Sequence, residues 1–436
     1  MWSPLLFGLL ASHAAAMRFA MYIDPYHLTN LPRINETQGI THVIMALANS
    51  SLFSTDPAGQ YTPFLNISDV RSMFASGTKV MISIGGFGDT AGLSAGAKDD
   101  ASRERFAKNI ADLIKKWGFE GCELDWEYPA GNGADYKQIP NSDKVSEIDT
   151  FPLLLKEIRK AIGDDKLLSV AVPGLKRDMI AYTAEKGPEI WPLVDFVNLM
   201  SYDLKDRRDT TTGHHTSIEG CLETVSNYLA IGLEPEKMNL GFAYYAKWFT
   251  TAADAVATCT ANPIGCPMVP LENADGSDSG KSGAITFETA NMAPPPANLV
   301  TASDGACGFN VKQKCGTGFC CSQSGFCGSS DAFCGAGCLF DYGVCKGVDV
   351  LGSWHKAQQN GTTDEQAGGQ YYFDSSVNLF WTWDTPSLIS RKFTEIVKAK
   401  NLGGVMAWSF GEDTYDLSHL QAMQQGVQNC KRRMWM

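Results

Sequence analysis

Apolar positions along the chain alternate between two registers. Short, nearly continuous apolar runs at Arg18–Ile23, Thr41–Ala48, Lys79–Gly86, Leu167–Val172, Phe196–Tyr202, Met238–Tyr245 and Gly403–Phe410 read as strands buried on both faces. Between some of them the spacing changes to that of a helix, at Phe106, Ile110, Leu113 and Trp117, at Phe151, Leu154, Leu155, Ile158 and Ile162, and at Ile389, Phe393, Ile396 and Val397. Strand, crossover helix and strand in succession imply parallel pairing. An eighth strand, Gly118–Pro129, breaks the apolar rule. Glu123, Asp125 and Glu127 share one of its faces, and Cys122, Leu124 and Trp126 share the other. Eight strands with interleaved helices predict an α/β fold, a closed (β/α)8 (TIM) barrel. An open doubly wound sheet is the alternative, and the chain lacks the glycine-rich loop that such a sheet uses for nucleotides.

The acidic strand is the feature that demands a chemical explanation. Its apolar face is fit to lie under a helix, so the carboxylates point into the barrel, where burying them costs several kcal/mol unless they share protons and hydrogen bonds. Strand propensity gives no reason to place Asp and Glu there. Catalytic groups in such barrels sit at the carboxyl ends of strands, and Glu127 is the last inward position before Tyr128-Pro129. A carboxyl among aromatics and other carboxyls stays protonated near neutrality and can give its proton to a leaving group. Asp125, one step deeper, can accept or share that proton.

Composition adds the setting. The net charge of -12 argues against nucleic acid or an anionic membrane surface as partner. Met1–Ala16, with the apolar run Pro4–Leu10 before three alanines, reads as a secretory signal. Sequons at Asn35, Asn49, Asn66 and Asn360 fit passage through a glycosylating pathway. Eight of the 13 cysteines fall between Cys307 and Cys345, the density of a disulfide scaffold. The stretch between the seventh and eighth strands is too long for one crossover. We therefore expect the barrel domain at 17–303 and 347–436, interrupted by a small disulfide module at 304–346 that follows the stiff segment Ala293–Ala297. Cys259 and Cys266 close a short loop of their own, and Cys122 reads as a packed small hydrophobe. His214-His215 has no partner at ligand spacing, so neither a metal nor a cofactor is expected.

With these residues in view, the acidic strand is similar to the Asp-Gly-x-Asp-x-Asp-x-Glu signature of the family 18 glycoside hydrolases, the chitinases, of the fungal type. Ser83-Ile-Gly-Gly86 resembles the third-strand motif of that family, Met200-Ser-Tyr-Asp203 the sixth-strand motif, and Trp408 the eighth-strand tryptophan beneath the sugar. The resemblance implies that Glu127 is the proton donor, with Asp125 orienting the 2-acetamido group of the substrate. That group itself attacks the anomeric carbon, with retention and without an enzyme nucleophile. It further implies that Glu123, Tyr202 and Asp203 belong to the catalytic set. Tyr22, Ser83, Gly86, Trp126, Met200, Tyr245 and Trp408 are expected against substrate. Glu120 and Glu123 stand where the signature has aspartates, and Lys247 and Phe249 replace an arginine and a tryptophan of the seventh-strand motif.

The cysteine cluster resembles a hevein-like chitin-binding module. Spacing alone leaves 105 pairings open for eight cysteines. Resemblance implies Cys307 with Cys321, Cys315 with Cys327, Cys320 with Cys334, and Cys338 with Cys345. It places Ser322, Phe326 and Phe333 against the sugar, with Ser324 at a position that is normally aromatic. The expected protein is a secreted, extracellular, monomeric chitinase whose partner is chitin or its oligomers. An endo-β-N-acetylglucosaminidase acting on N-glycans and a non-hydrolytic chitin-sequestering protein are the alternatives.

Overall fold

The computed structural model describes residues 17–335 and 337–432, and the expected signal, Met1–Ala16, lies outside the described residues. Eight strands close a parallel barrel: β1 (Arg18–Ile23), β2 (His42–Ala48), β3 (Lys79–Gly85), β4 (Gly121–Asp125), β5 (Leu167–Pro173), β6 (Phe196–Met200), β7 (Met238–Ala243) and β8 (Gly404–Trp408). They follow one another in chain order, and β1 pairs with both β2 and β8 to complete the ring. The strands are apolar because two core layers cover them. Ala20, Ile44, Met81, Phe196 and Met406 fill the interior, while Cys122, Leu124, Phe106, Ile110, Phe151 and Leu154 lie between strands and helices.

Helix α1 (Asp100–Trp117) is started by Asp99, whose carboxylate accepts from the Ser102 backbone N–H at 2.9 Å. It packs beside α2 (Glu147–Ile162), and both bury the apolar stripe expected from their spacing. Between them β4 passes close to β5. A Cβ at Gly121 would strike the Leu167 carbonyl, so the glycine inside the acidic motif answers to packing.

The region between β7 and β8 holds more than a cysteine module. The expected strand Met238–Tyr245 ends at Ala243, and Tyr245–Thr250 opens a separate antiparallel sheet. Its strands run Thr362–Asp364, Gly369–Asp374, Leu379–Trp383, Tyr245–Thr250 and Ser282–Thr286 in spatial order. A helix, Val350–Asn360, covers the sheet through Trp354, which lies 5.2 Å from Trp381 and 5.3 Å from Trp383. The apolar sequence from Met238 to Phe249 has no polar break at which to separate the two strands, since both are buried.

The disulfide-rich module sits in the same interval. Cys307 is bonded to Cys321, Cys315 to Cys327, Cys320 to Cys334 and Cys338 to Cys345, and Cys259 to Cys266 outside it. Val300–Thr301 pairs with Gln313–Lys314, so the module takes in residues ahead of Asp304. Cys122 and Cys221 are free and buried, and Cys430 is free and half-buried. Among the described residues no helix is long and apolar enough to cross a membrane.

Candidate active site

At the carboxyl ends of the strands the inward face of β4 leads from a satisfied carboxylate to an open one. Glu123 is fully buried and accepts four hydrogen bonds, from Tyr22 Oη at 2.6 Å, Asn198 Nδ2 at 2.6 Å, Ser83 Oγ at 3.1 Å and Ser169 Oγ at 3.3 Å. Asn198 is itself fixed by Asn239, whose other amide contact is Arg18. Burial pushes the Glu123 carboxyl up and the four donors pull against it, with a net rise.

Asp125 has no such support. It is 5% exposed, and its Oδ1 has no hydrogen-bond partner. Burial, then the charges of Glu127 and Glu123, push its carboxyl well above the usual range. Glu127, just past the end of β4, is half-buried. Burial and the nearby Asp203 raise it to about 7, Tyr128 opposes the rise, and Asp178 adds to it. Asp125 and Glu127 therefore form a pair in which a proton is held near neutral pH and can be shared.

Across the barrel mouth, Asp203 follows β6 and remains ionised. Desolvation acts against its charge, but Lys247 Nζ at 3.1 Å, His215 Nδ1 at 3.7 Å and the Tyr245 hydroxyl at 2.8 Å outweigh it and hold the carboxyl below the usual range. Lys247, a departure from the family motif, is thus engaged with Asp203. Tyr202 stands beside Tyr245 with ring centroids 6.2 Å apart. Trp408, half-buried, leans on Tyr22 at 5.3 Å, and Met200 and Tyr128 border the same cluster.

Four residues expected against substrate make structural contacts of their own. Trp126 is 1% exposed on the outer face of β4, edge-on to Phe151 of α2, as strand parity requires. Tyr22 and Ser83 are buried and give their hydroxyls to Glu123, because a buried carboxylate needs donors. Gly86 is structural at its backbone: φ is +101°, its N–H donates to the Asp125 carbonyl at 2.7 Å, and a Cβ would strike Leu47. Glu120 lies at the opposite end of β4, where it accepts from Arg71 at 2.8 Å and from the Val80 backbone N–H at 2.8 Å.

Four further residues in and above the barrel belong to this end of the fold without a clear sequence signal. Asn198 occupies an inward position of β6 and could have been found by parity. Phe87, 61% exposed directly after Gly86, and Arg207 and Arg208 beyond β6 carry no signal that separates them from ordinary loop residues. In the cysteine module, Phe326 is 57% exposed. Ser322 is buried, with its Oγ accepting from the Phe326 backbone N–H at 3.2 Å, and Phe333 lies against Gly328. Asp24, His27 and Glu412, at the ends of β1 and β8, bring one ligand atom each within 4.8 Å of one another. Asp24 is already taken by His27 at 2.9 Å, Ser409 at 2.7 Å and the Tyr26 backbone N–H at 2.8 Å, so the group is a closed ion-pair network.

The chain is similar to known proteins over most of its length. Chitinase 1 of Aphanocladium album is 26% identical over 76% of this chain and 60% of its own length. Endochitinase 1 of Metarhizium robertsii is 24% identical over 77% of this chain and 62% of its own length, so the chain spans about three fifths of these relatives. The second catalytic domain of the Group II chitinase of Ostrinia furnacalis superposes with a TM-score of 0.64 at 20% identity, covering 95% of this chain and 97% of that one. Residues 18–413, nearly the whole barrel with its insertions, match the profile described as glycosyl hydrolases family 18, and the chain belongs to that family.

Proposed function

We propose that the protein is a secreted chitinase, acting as a monomer, that hydrolyses β-1,4 linkages between N-acetylglucosamine units by substrate-assisted catalysis with retention. Glu127 gives its proton to the glycosidic oxygen as the bond to the anomeric carbon breaks. The acetamido oxygen of the same sugar closes on that carbon from the opposite face. Glu127, now a carboxylate, takes a proton from water as the water opens the cyclic intermediate, and the two inversions return the original anomer. Asp125, whose Oδ1 lacks a partner, is available to the acetamido N–H once substrate is in place. Glu123, fixed by four donors, holds charge behind it. Tyr202 faces the acetamido carbonyl and Trp408 forms the floor.

The observation that carries this reading is the half-buried Glu127 at the end of β4, raised to about 7 beside the unsupported Asp125. Five disulfides support an oxidising, extracellular destination. The exposed ring of Phe326 supports chitin binding by the cysteine module, with Ser322 and Phe333 shaping the turn beneath it. Incubation with soluble chitin oligomers tests the activity: new reducing ends appear first as the β anomer, and either an intact substrate or an initial α anomer contradicts the reading.

A further inference from the structure

The loops beyond β4 and β6 meet on one carboxylate that belongs to neither of them. Glu272 lies on a hairpin of the insertion, Leu271–Ser279, yet its side chain is only 6% exposed. Its Oε2 accepts from the Tyr136 hydroxyl at 2.6 Å and pairs with Lys137 Nζ at 3.1 Å, both from the loop that leaves β4 at Glu127. Its Oε1 accepts from Arg207 Nε at 2.9 Å, with Arg208 Nε at 3.9 Å, both from the loop beyond β6.

The two arginines extend the junction. Arg208 lies 4.0 Å over the Tyr136 ring and donates to the carbonyls of Asn132 and Gly133 at 2.9 and 3.0 Å. Arg207 lies 5.5 Å over the exposed ring of Phe87, which brings in the loop beyond β3. Gln138 Nε2 donates to the Asp275 carbonyl and Lys137 Nζ to that of Asn273, so the hairpin grips the β4 loop at more than one point.

Residues 128–140 form no helix or strand; the start of the segment is held by the buried Ala130, whose N–H donates to Glu147 at 2.8 Å, and its middle by Asp135, paired with Lys144 at 2.7 Å, while the ties to the Glu272 hairpin fasten its far part, Tyr136 to Gln138, to the insertion. A carboxylate removed from water and surrounded by a phenol and cationic donors is a strong tie, because breaking it leaves charged groups unpaired. The segment begins at the residue after Glu127, at the carboxyl end of β4.

We propose that Glu272 is a specificity-determining residue: it fastens the β4 and β6 loops to the insertion as a fixed wall beside Glu127, and that wall sets which bond of a chitin chain comes to the acid. This rests on the chitinase reading above. The hairpin acts through the loops it holds, and Glu272 itself touches no reacting atom.

The test uses the full chain with the chitin hexamer as probe, comparing wild type, Glu272→Ala, Glu272→Gln and the double variant Tyr136→Phe/Lys137→Ala. Initial product ratios, KM, kcat, the pH–rate profile and thermal unfolding are read together. Glu272→Ala is expected to spread the cleavage positions and raise KM roughly fivefold or more, the effect of losing a positioning interaction, with the pH–rate limbs unmoved. Glu272→Gln falls between it and wild type. If Glu272→Ala does not fold, the double variant decides by the same readouts. A folded variant with the wild-type product ratios and KM overturns the clamp, as does a loss of kcat with unchanged product ratios. A wild type that leaves the hexamer intact overturns the chitinase reading first, and the two failures are therefore distinct.

Discussion

The Tyr22 hydroxyl donates to Glu123 at 2.6 Å across the barrel interior, joining β1 to β4 below the catalytic opening. Asn198 from β6 reaches the other carboxylate oxygen at 2.6 Å. The glutamate, one methylene longer than the aspartate of the family signature, spans both contacts. Shortening it in Glu123→Asp withdraws the carboxyl from its donors and favours its neutral form, which no longer repels charge on Asp125. Asp125 and Glu127 then lose protons at lower pH. The basic limb of the pH–kcat/KM profile is expected to move to lower pH with activity retained, and an unmoved profile contradicts this role for Glu123.

Removing the carboxyl altogether is a question of stability. Glu123→Ala takes the acceptor from the buried hydroxyls of Tyr22, Ser83 and Ser169 and from one of the two Asn198 amide hydrogens, the other being within reach of Tyr22 Oη, which is expected to cost about 3 kcal/mol, measured by chemical denaturation of the folded variant.

Asp203 acts on the acid from the other side of the barrel mouth. Its ionised carboxyl, held by Lys247 and Tyr245, favours the neutral form of Glu127, which is the form that donates a proton. Activity is present below the pKa of about 7 and falls as pH rises through it. Asp203→Asn removes an anion, lowers the Glu127 pKa and shifts the basic limb of kcat/KM to more acidic pH. A shift in the alkaline direction would falsify the assignment of that limb to Glu127.

Glu120 differs from Glu123 although both depart from the family aspartates. It braces Arg71 and the start of β3 at the end of the barrel away from Glu127, and its side chain is partly exposed. Glu120→Ala is expected to lower stability by about 1 kcal/mol and to leave kcat/KM and the pH profile unchanged. Steady-state kinetics on soluble oligomers, with a urea melt, checks both halves.

For the cysteine module, Phe326→Ala is expected to weaken retention on insoluble chitin several-fold while hydrolysis of soluble oligomers stays as in wild type, because the exposed ring offers a stacking face remote in sequence from the acidic strand. Equal retention of the two proteins in a pull-down shows that the ring does not contact the polymer.

The barrel is legible in the sequence because seven strands are compact apolar runs and helical stripes stand before β4, β5 and β8, and β4 is legible because parity separates Glu123 and Asp125 from Cys122 and Leu124. Parity also places Trp126 on the outer face, where it packs on Phe151, against its expected place at the substrate. Tyr22 and Ser83 show a different ambiguity. A hydroxyl at a strand end serves a ligand or a buried carboxylate equally well in sequence, and only the fold shows that both turn to Glu123. The second sheet was hidden because Tyr245–Thr250 continues the apolar pattern of β7 without a break. The junction at Glu272 is invisible in the sequence because its partners come from two distant loops, Tyr136 lying 136 residues and Arg207 65 residues away in the chain, and each, taken singly, is an ordinary surface charge or tyrosine.

The central claim is that Glu127 is the acid. Glu127→Gln keeps the size of the side chain and removes its titration, so its kcat on soluble chitin oligomers tests the claim most directly. The variant is expected to fold as wild type does and to lose activity by about 100-fold or more, with the limb near pH 7 gone from whatever activity remains. Cleavage at the wild-type rate, with that limb intact, would contradict the account.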